Sequence, residues 1–150
     1  MKTLEEIVRQ QPLYLNDWAG EGKVAVIGEF DNIYPTEKEY VASSSPYANV
    51  EDWEEEKAKM DEALEKHKNE TILFATYEVE GYEGSAWVLF YDEEKKKLFE
   101  VNGSHCSCMG LEGQWEPEET TLEALAFRLE KGQLGEYDHF QDELKSFLGV

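Results

Sequence analysis

The sequence predicts a single α+β domain spanning 1–150. Its antiparallel sheet combines a three-stranded meander over 71–102 with a further strand near 23–30, and about four helices pack mostly on one face of it. Three observations predict this fold. The runs TILFATYEVE, GSAWVLFYD and KLFEVN follow one another with hairpin-length connections. Two segments begin at capping-box spacing, and a third, Glu51 to Lys68, carries an apolar stripe at helical offsets. A chain of 150 residues is also large enough to bury a core without metal or disulfide help.

Thr3 and Glu6 stand at capping-box spacing, Leu4, Ile7 and Val8 form a short apolar face, and Pro12 ends this first helix. LYLNDW, with Gly20 and Gly22 behind it, reads as a loop. Lys23 to Phe30 reads as a strand from its β-branched content, and no phosphate-loop pattern surrounds its Gly28. From Asp31 to Asn49 the chain is polar and irregular, with a surface loop at Ser43 to Pro46. Glu51 to Lys68 is the clearest helix. Trp53, Met60, Leu64 and His67 share a stripe, acids crowd the first turns and lysines the last, as the helix dipole favours.

In the meander, Leu73, Ala75, Tyr77 and Val79 share one face of the first strand, and Trp87, Leu89 and Tyr91 one face of the second. The nearly continuous apolar run AWVLFY marks a central strand covered on both sides. Further on, Thr120 and Glu123 form another capping box over Leu122, Leu125 and Leu129, and Gly132 stops that helix. A last helix starts at Asp138 and buries Phe140, Leu144, Phe147 and Leu148.

Thirty-four Asp and Glu oppose 14 Lys and Arg, for a net charge of −20. Such a surface argues against direct nucleic-acid binding, which needs cationic side chains, and against adhesion to anionic membranes. It favours a basic protein surface or a cation as partner; the plain alternative is that the charge only maintains solubility. No run approaches the ~20 apolar residues of a membrane span, and the first residues lack the apolar centre of a signal peptide. Two closely spaced cysteines fit a reducing cytoplasm.

The stretch from Leu98 to Leu125 concentrates the unusual chemistry. His105, Cys106 and Cys108 lie within four residues of one another. As a zinc site they need a further ligand from His67, His139 or a carboxylate such as Glu112, and the Cys spacing is tighter than the usual CxxC. As a nucleophile and base, His105 and Cys106 are poorly placed, because neighbours on an extended chain point to opposite faces. The favoured reading is structural: Gly103, Gly110 and Gly113 permit tight turns, small thiols fill narrow space, and Trp115 anchors the loop. No cofactor is expected.

The run VNGSHCSCMGLEGQWEPEETTLEAL, preceded by GYEGSAWVLFYD, resembles a family of small, largely uncharacterised bacteriophage and prophage proteins with an SHCSC–GLEGQW–PEE signature. The resemblance covers roughly 71–129 and implies a phage setting, hence a bacterial host cytoplasm, and no catalytic residues. In that setting an acidic protein can occupy the nucleic-acid site of a host defence nuclease, as anti-restriction and anti-CRISPR inhibitors do. Duplex DNA carries a charge every ~1.7 Å of axis, and helical carboxylates three or four residues apart lie about 5–6 Å from one another. The candidate acidic surface is Glu51, Asp52, Glu54, Glu55, Asp61, Glu62 and Glu65 on the long helix, with Glu112, Glu116, Glu118 and Glu119 on the loop. The alternatives are a metal-binding or hydrolytic protein using His105, Cys106 and Cys108, and a generic interaction module.

Overall fold

A computed structural model describes residues 1–43, 50–107, 110–135 and 139–150, with the side chains of all of these except 42, 43, 50 and 51. Ser44 to Pro46, Cys108, Asp138 and the Glu51 side chain, named above, lie outside the described residues. In order the elements are α1 (Leu4–Arg9), β1 (Leu13–Asn16), α2 (Lys23–Asp31), α3 (Glu37–Ser43), α4 (Val50–Lys66), β2 (Glu70–Glu80), β3 (Glu83–Asp92), β4 (Lys97–His105), β5 (Glu118–Thr120), α5 (Leu122–Glu130) and α6 (Gln141–Leu148).

The fold is α+β, and β2, β3 and β4 form the expected antiparallel meander. Two further strands extend it to the order β1-β2-β3-β4-β5. LYLN, expected as a loop, is β1, and it lies parallel to β2, from Leu13 opposite Phe74 to Asn16 opposite Tyr77. The sheet is therefore mixed. Between the parallel pair the chain runs through α2, α3 and α4, supplying the crossover that parallel neighbours require.

The expected strand over 23–30 is a helix. α2 buries Val26, Ile27, Gly28 and Phe30. Val26 and Phe30 pack on the sheet, while Ile27 turns to Met60 and Ala63 of α4. A helix enclosed on two sides is apolar nearly all round, so the 3.6-residue period that would reveal it is missing from the sequence. Asn32, in the left-handed conformation at φ 55°, ends it.

Helices cover both faces of the sheet, six of them among the described residues, rather than about four on one face. On one side α1, α5 and α6 bury Ile7, Leu125, Leu129, Leu144 and Leu148 against Phe74, Trp87, Leu89 and Leu98. On the other, α2 covers Ala75, Tyr77, Val88 and Val101, with α4 outside it. Each fully buried large apolar side chain contributes about 1.5–3 kcal/mol. A bulge between Ile72 and Phe74 turns Leu73 onto the α5/α6 face with Phe74, away from Ala75 and Tyr77. The bulge breaks the strict alternation expected for that strand.

The end of α5 closes as the sequence predicts. Gly132 takes φ 67°, its N–H reaches the Leu129 carbonyl and the Gln133 N–H the Arg128 carbonyl, which is the Schellman pattern. The start is shifted by one residue: Thr121, not Thr120, caps the helix by accepting from the Ala124 N–H.

Candidate functional site

The parallel pairing of β1 with β2 and the hairpin β2–β3 bring four chain segments to one end of the sheet. Tyr77 stands opposite Asn16, Glu80 opposite Glu83, and Gly84 opposite His105. Glu93, Glu94, Lys95 and Lys96 make the β3–β4 connection at the opposite end, flanked by Asp92 and Lys97.

At the hairpin end, Tyr77 and His105 project to the α2 face. The Tyr77 hydroxyl lies 2.6 Å from His105 Nε2, and His105 Nδ1 lies 2.9 Å from the Cys106 carbonyl oxygen. A carbonyl only accepts, so Nδ1 carries the ring proton and, in the neutral ring, Nε2 accepts from the Tyr77 hydroxyl. The imidazole lies against Gly84, where a Cβ would come within 2.3 Å of Nε2. A larger residue there would push the ring off its contact with Tyr77.

Around this pair the charge is negative. A cleft of about 450 Å³ runs along α2, lined by Asp17, Glu21, Glu29, Glu39 and Glu112 together with Trp18 and Tyr34. Burial pushes the Tyr77 hydroxyl up to about 12, and Glu29, Asp17 and Glu112 add to the shift. Glu29 keeps solvent contact, yet it too is raised, by partial burial first and then by Glu39, Glu112 and Asp17, with His105 opposing. These shifts place six groups from six segments of the chain, Asp17, Glu29, Glu39, Tyr77, His105 and Glu112, within one electrostatic neighbourhood. Beside it a second cleft of about 440 Å³ is bordered by Glu78, Glu80, Glu83, His105, Cys106 and His139.

Both nitrogens of His105 are thus engaged, and the ring is not available as a base for the exposed Cys106 thiol. Among the described residues no three His, Cys, Asp or Glu are arranged to hold a metal ion. The other ligands considered for zinc have different partners. His67 is buried at the end of α4, 2.6 Å from Glu70 and 3.6 Å from Asp31, with its ring edge-on to Trp115. His139 lies 3.2 Å from the Glu78 carboxylate, and Glu112 lines the first cleft.

The expected acidic surface is divided. On α4, Glu54, Glu55, Asp61, Glu62 and Glu65 are exposed and Asp52 is half-buried, but Lys57, Lys59, Lys66 and Lys68 are interleaved with them. Lys68 pairs with Glu65 at 2.8 Å. Of the loop acids, Glu112 joins the cleft and Glu116 is exposed. Glu118 and Glu119 sit in β5 opposite Glu100 and Phe99, where Lys97 reaches Glu119 at 3.3 Å. They do not form one row with Glu112.

Sequence reasoning missed Asp17, Glu21, Glu29 and Glu39, along with Glu78, Glu80 and Glu83. Reading 23–30 as a helix would have placed Ala25, Glu29 and Asn32 on one face. The hairpin acids were visible in EVEGYEG, once the tip was projected from the strand ends.

No family model, curated protein or solved structure matches this chain. Its site is its own best witness.

Proposed function

We propose that this is a non-enzymatic, strongly acidic protein of phage type that binds a host protein through that protein's basic, nucleic-acid-binding surface and inhibits it by occupying the surface. The observation that carries the reading is the uneven balance of charge. Asp17, Glu21, Glu29, Glu39 and Glu112 line one cleft and Glu78, Glu80 and Glu83 border the next, with no lysine or arginine among the described residues lining either, while at the opposite end of the sheet Lys95 to Lys97 offset Asp92, Glu93 and Glu94. The molecule has an acidic pole, and the pole rather than α4 is the contact surface.

The spacing supports the same reading. Residues two apart on a strand, as Glu78 and Glu80 are, stand about 7 Å apart, roughly twice the 3.4 Å axial rise per phosphate on one DNA strand. Partial burial first, and then the neighbouring Glu39, Glu112 and Asp17, raise the proton affinity of Glu29, and a cationic partner relieves the repulsive part of that shift.

The test is capture from bacterial lysate on the immobilised chain. The expected result is retention of a nucleic-acid-binding protein at low salt, released by raised salt and by competing duplex DNA. Recovery of no such protein at low salt overturns the reading.

A further inference from the structure

Three half-exposed aromatics that touch in series, the first of them in the wall of the acidic cleft, belong to none of the three buried clusters. Tyr34, in the segment after α2, lies 5.7 Å from Tyr40 of α3, with the rings at 71°. Tyr40 in turn lies 5.9 Å from Trp53 of α4, at 42°. Tyr34 is 39% exposed and the neighbouring Val41 58%. Tyr34 is also part of the cleft wall, with Glu29 and Glu39, so the aromatic array meets the carboxylates at Tyr34. On folding grounds this is costly: exposed rings lose the benefit of burial, and clustered acids repel.

We propose that this surface seats an arginine side chain presented by a basic segment of the partner protein; the inference rests on the function proposed above and names the chemistry that the acidic pole recognises. An aromatic face attracts a cation through its quadrupole, and arginine is the favoured cation because its planar guanidinium stacks on the ring while its forked N–H groups reach carboxylates. The charge complements that occupant: Glu29, Glu39 and Glu112 face the cleft. Among the described residues, none of the protein's own cations is in contact with these rings. Its two described cation–ring contacts are Lys95 on Phe99 and Lys131 on Phe127, both elsewhere. A bare metal ion is the wrong occupant, since the carboxylates are not grouped to coordinate one among the described residues.

The experiment is titration of the full chain with two charge-matched probes, a hexa-arginine and a hexa-lysine peptide, followed by calorimetry. The arginine peptide is expected to bind several-fold more tightly. Tyr34→Ala, at a residue exposed enough to leave folding intact, should lower arginine-peptide affinity about two- to fivefold, the value of one exposed cation–π contact, and leave the lysine peptide nearly unchanged. Tyr34→Phe should restore arginine binding, because the ring face remains. Phe127→Ala, at the exposed aromatic of α5 outside both clefts, controls for loss of a surface ring and should change neither peptide.

Equal affinity for the two peptides, or Tyr34→Ala binding like the wild type, overturns the arginine seat while leaving a purely electrostatic acidic pole in place. Failure of both peptides to bind overturns the seat as well. Failure of the lysate capture described above, with arginine selectivity intact, overturns instead the identification of the partner as a nucleic-acid-binding protein.

Discussion

Tyr77 and Glu29 report on the acidic cleft from opposite ends of the pH range. The folded protein holds the Tyr77 proton up to about 12, against an ordinary value of 10.0. Below pH 10 its stabilising contribution is complete, and it is lost as pH rises through 12. Tyr77→Phe should flatten this alkaline loss without abolishing it, because burial raises Tyr14 as well. It should also cost about 0.5–1.5 kcal/mol near neutrality for the lost hydrogen bond to His105. Urea unfolding from pH 8 upward measures both effects. Glu29 is likewise raised, so its protonated form is favoured by folding, and that benefit is present in acid and lost as pH climbs through the folded value. Glu29→Gln should therefore stabilise the protein at neutral pH, by under about 1 kcal/mol given solvent screening, and do little in acid. Unfolding curves at the two pH values decide the sign.

The sheet edge and the α5 face show how buried polar groups are balanced. Glu100 in β4 is 4% exposed and pairs with Arg128 of α5 through both guanidinium arms. Arg128→Ala strands a buried carboxylate and should cost about 3–5 kcal/mol, whereas replacing both by methionine should recover most of that; denaturant midpoints of the three variants test it. Beyond β5, the free edge of β4 is closed by a side chain. The Gln114 amide accepts from the Ser104 N–H and donates to the Ser104 and Gly110 carbonyls, at 2.8, 2.8 and 3.0 Å. Gln114→Ala should speed hydrogen exchange at the Ser104 amide, with little change in the β2–β3 amides.

Legibility followed local signal. The meander, α1 and α5 were readable because alternation, a capping box and a glycine stop are local features. β1 was not, because four residues gain strand character only from pairing with β2, sixty positions on in sequence. α2 was misread because enclosure by the sheet and α4 erases helical periodicity. Of the glycines expected to permit turns, Gly113 takes φ 77°, whereas Gly103 lies within β4, where a would-be Cβ meets Leu111 at 2.9 Å. The cleft acids were illegible for a related reason: Asp17, Glu29 and Glu112 become neighbours only when the crossover closes.

A net charge of −20 repels any second acidic body over roughly a Debye length, about 10 Å at moderate salt. Its uneven display is what gives a cationic partner a direction of approach, with the hairpin end foremost and the Lys95–Lys97 end trailing. α4 contributes to the field, but its interleaved lysines weaken it locally. The decisive comparison is therefore between two neutralised proteins in the same low-salt lysate capture. One carries Asp17→Asn, Glu21→Gln, Glu39→Gln, Glu78→Gln, Glu80→Gln and Glu83→Gln; the other carries Glu54→Gln, Glu55→Gln, Asp61→Asn and Glu62→Gln. The first should lose the nucleic-acid-binding partner and the second should keep it. Retention by the first with loss by the second would contradict the acidic pole as the surface this protein presents.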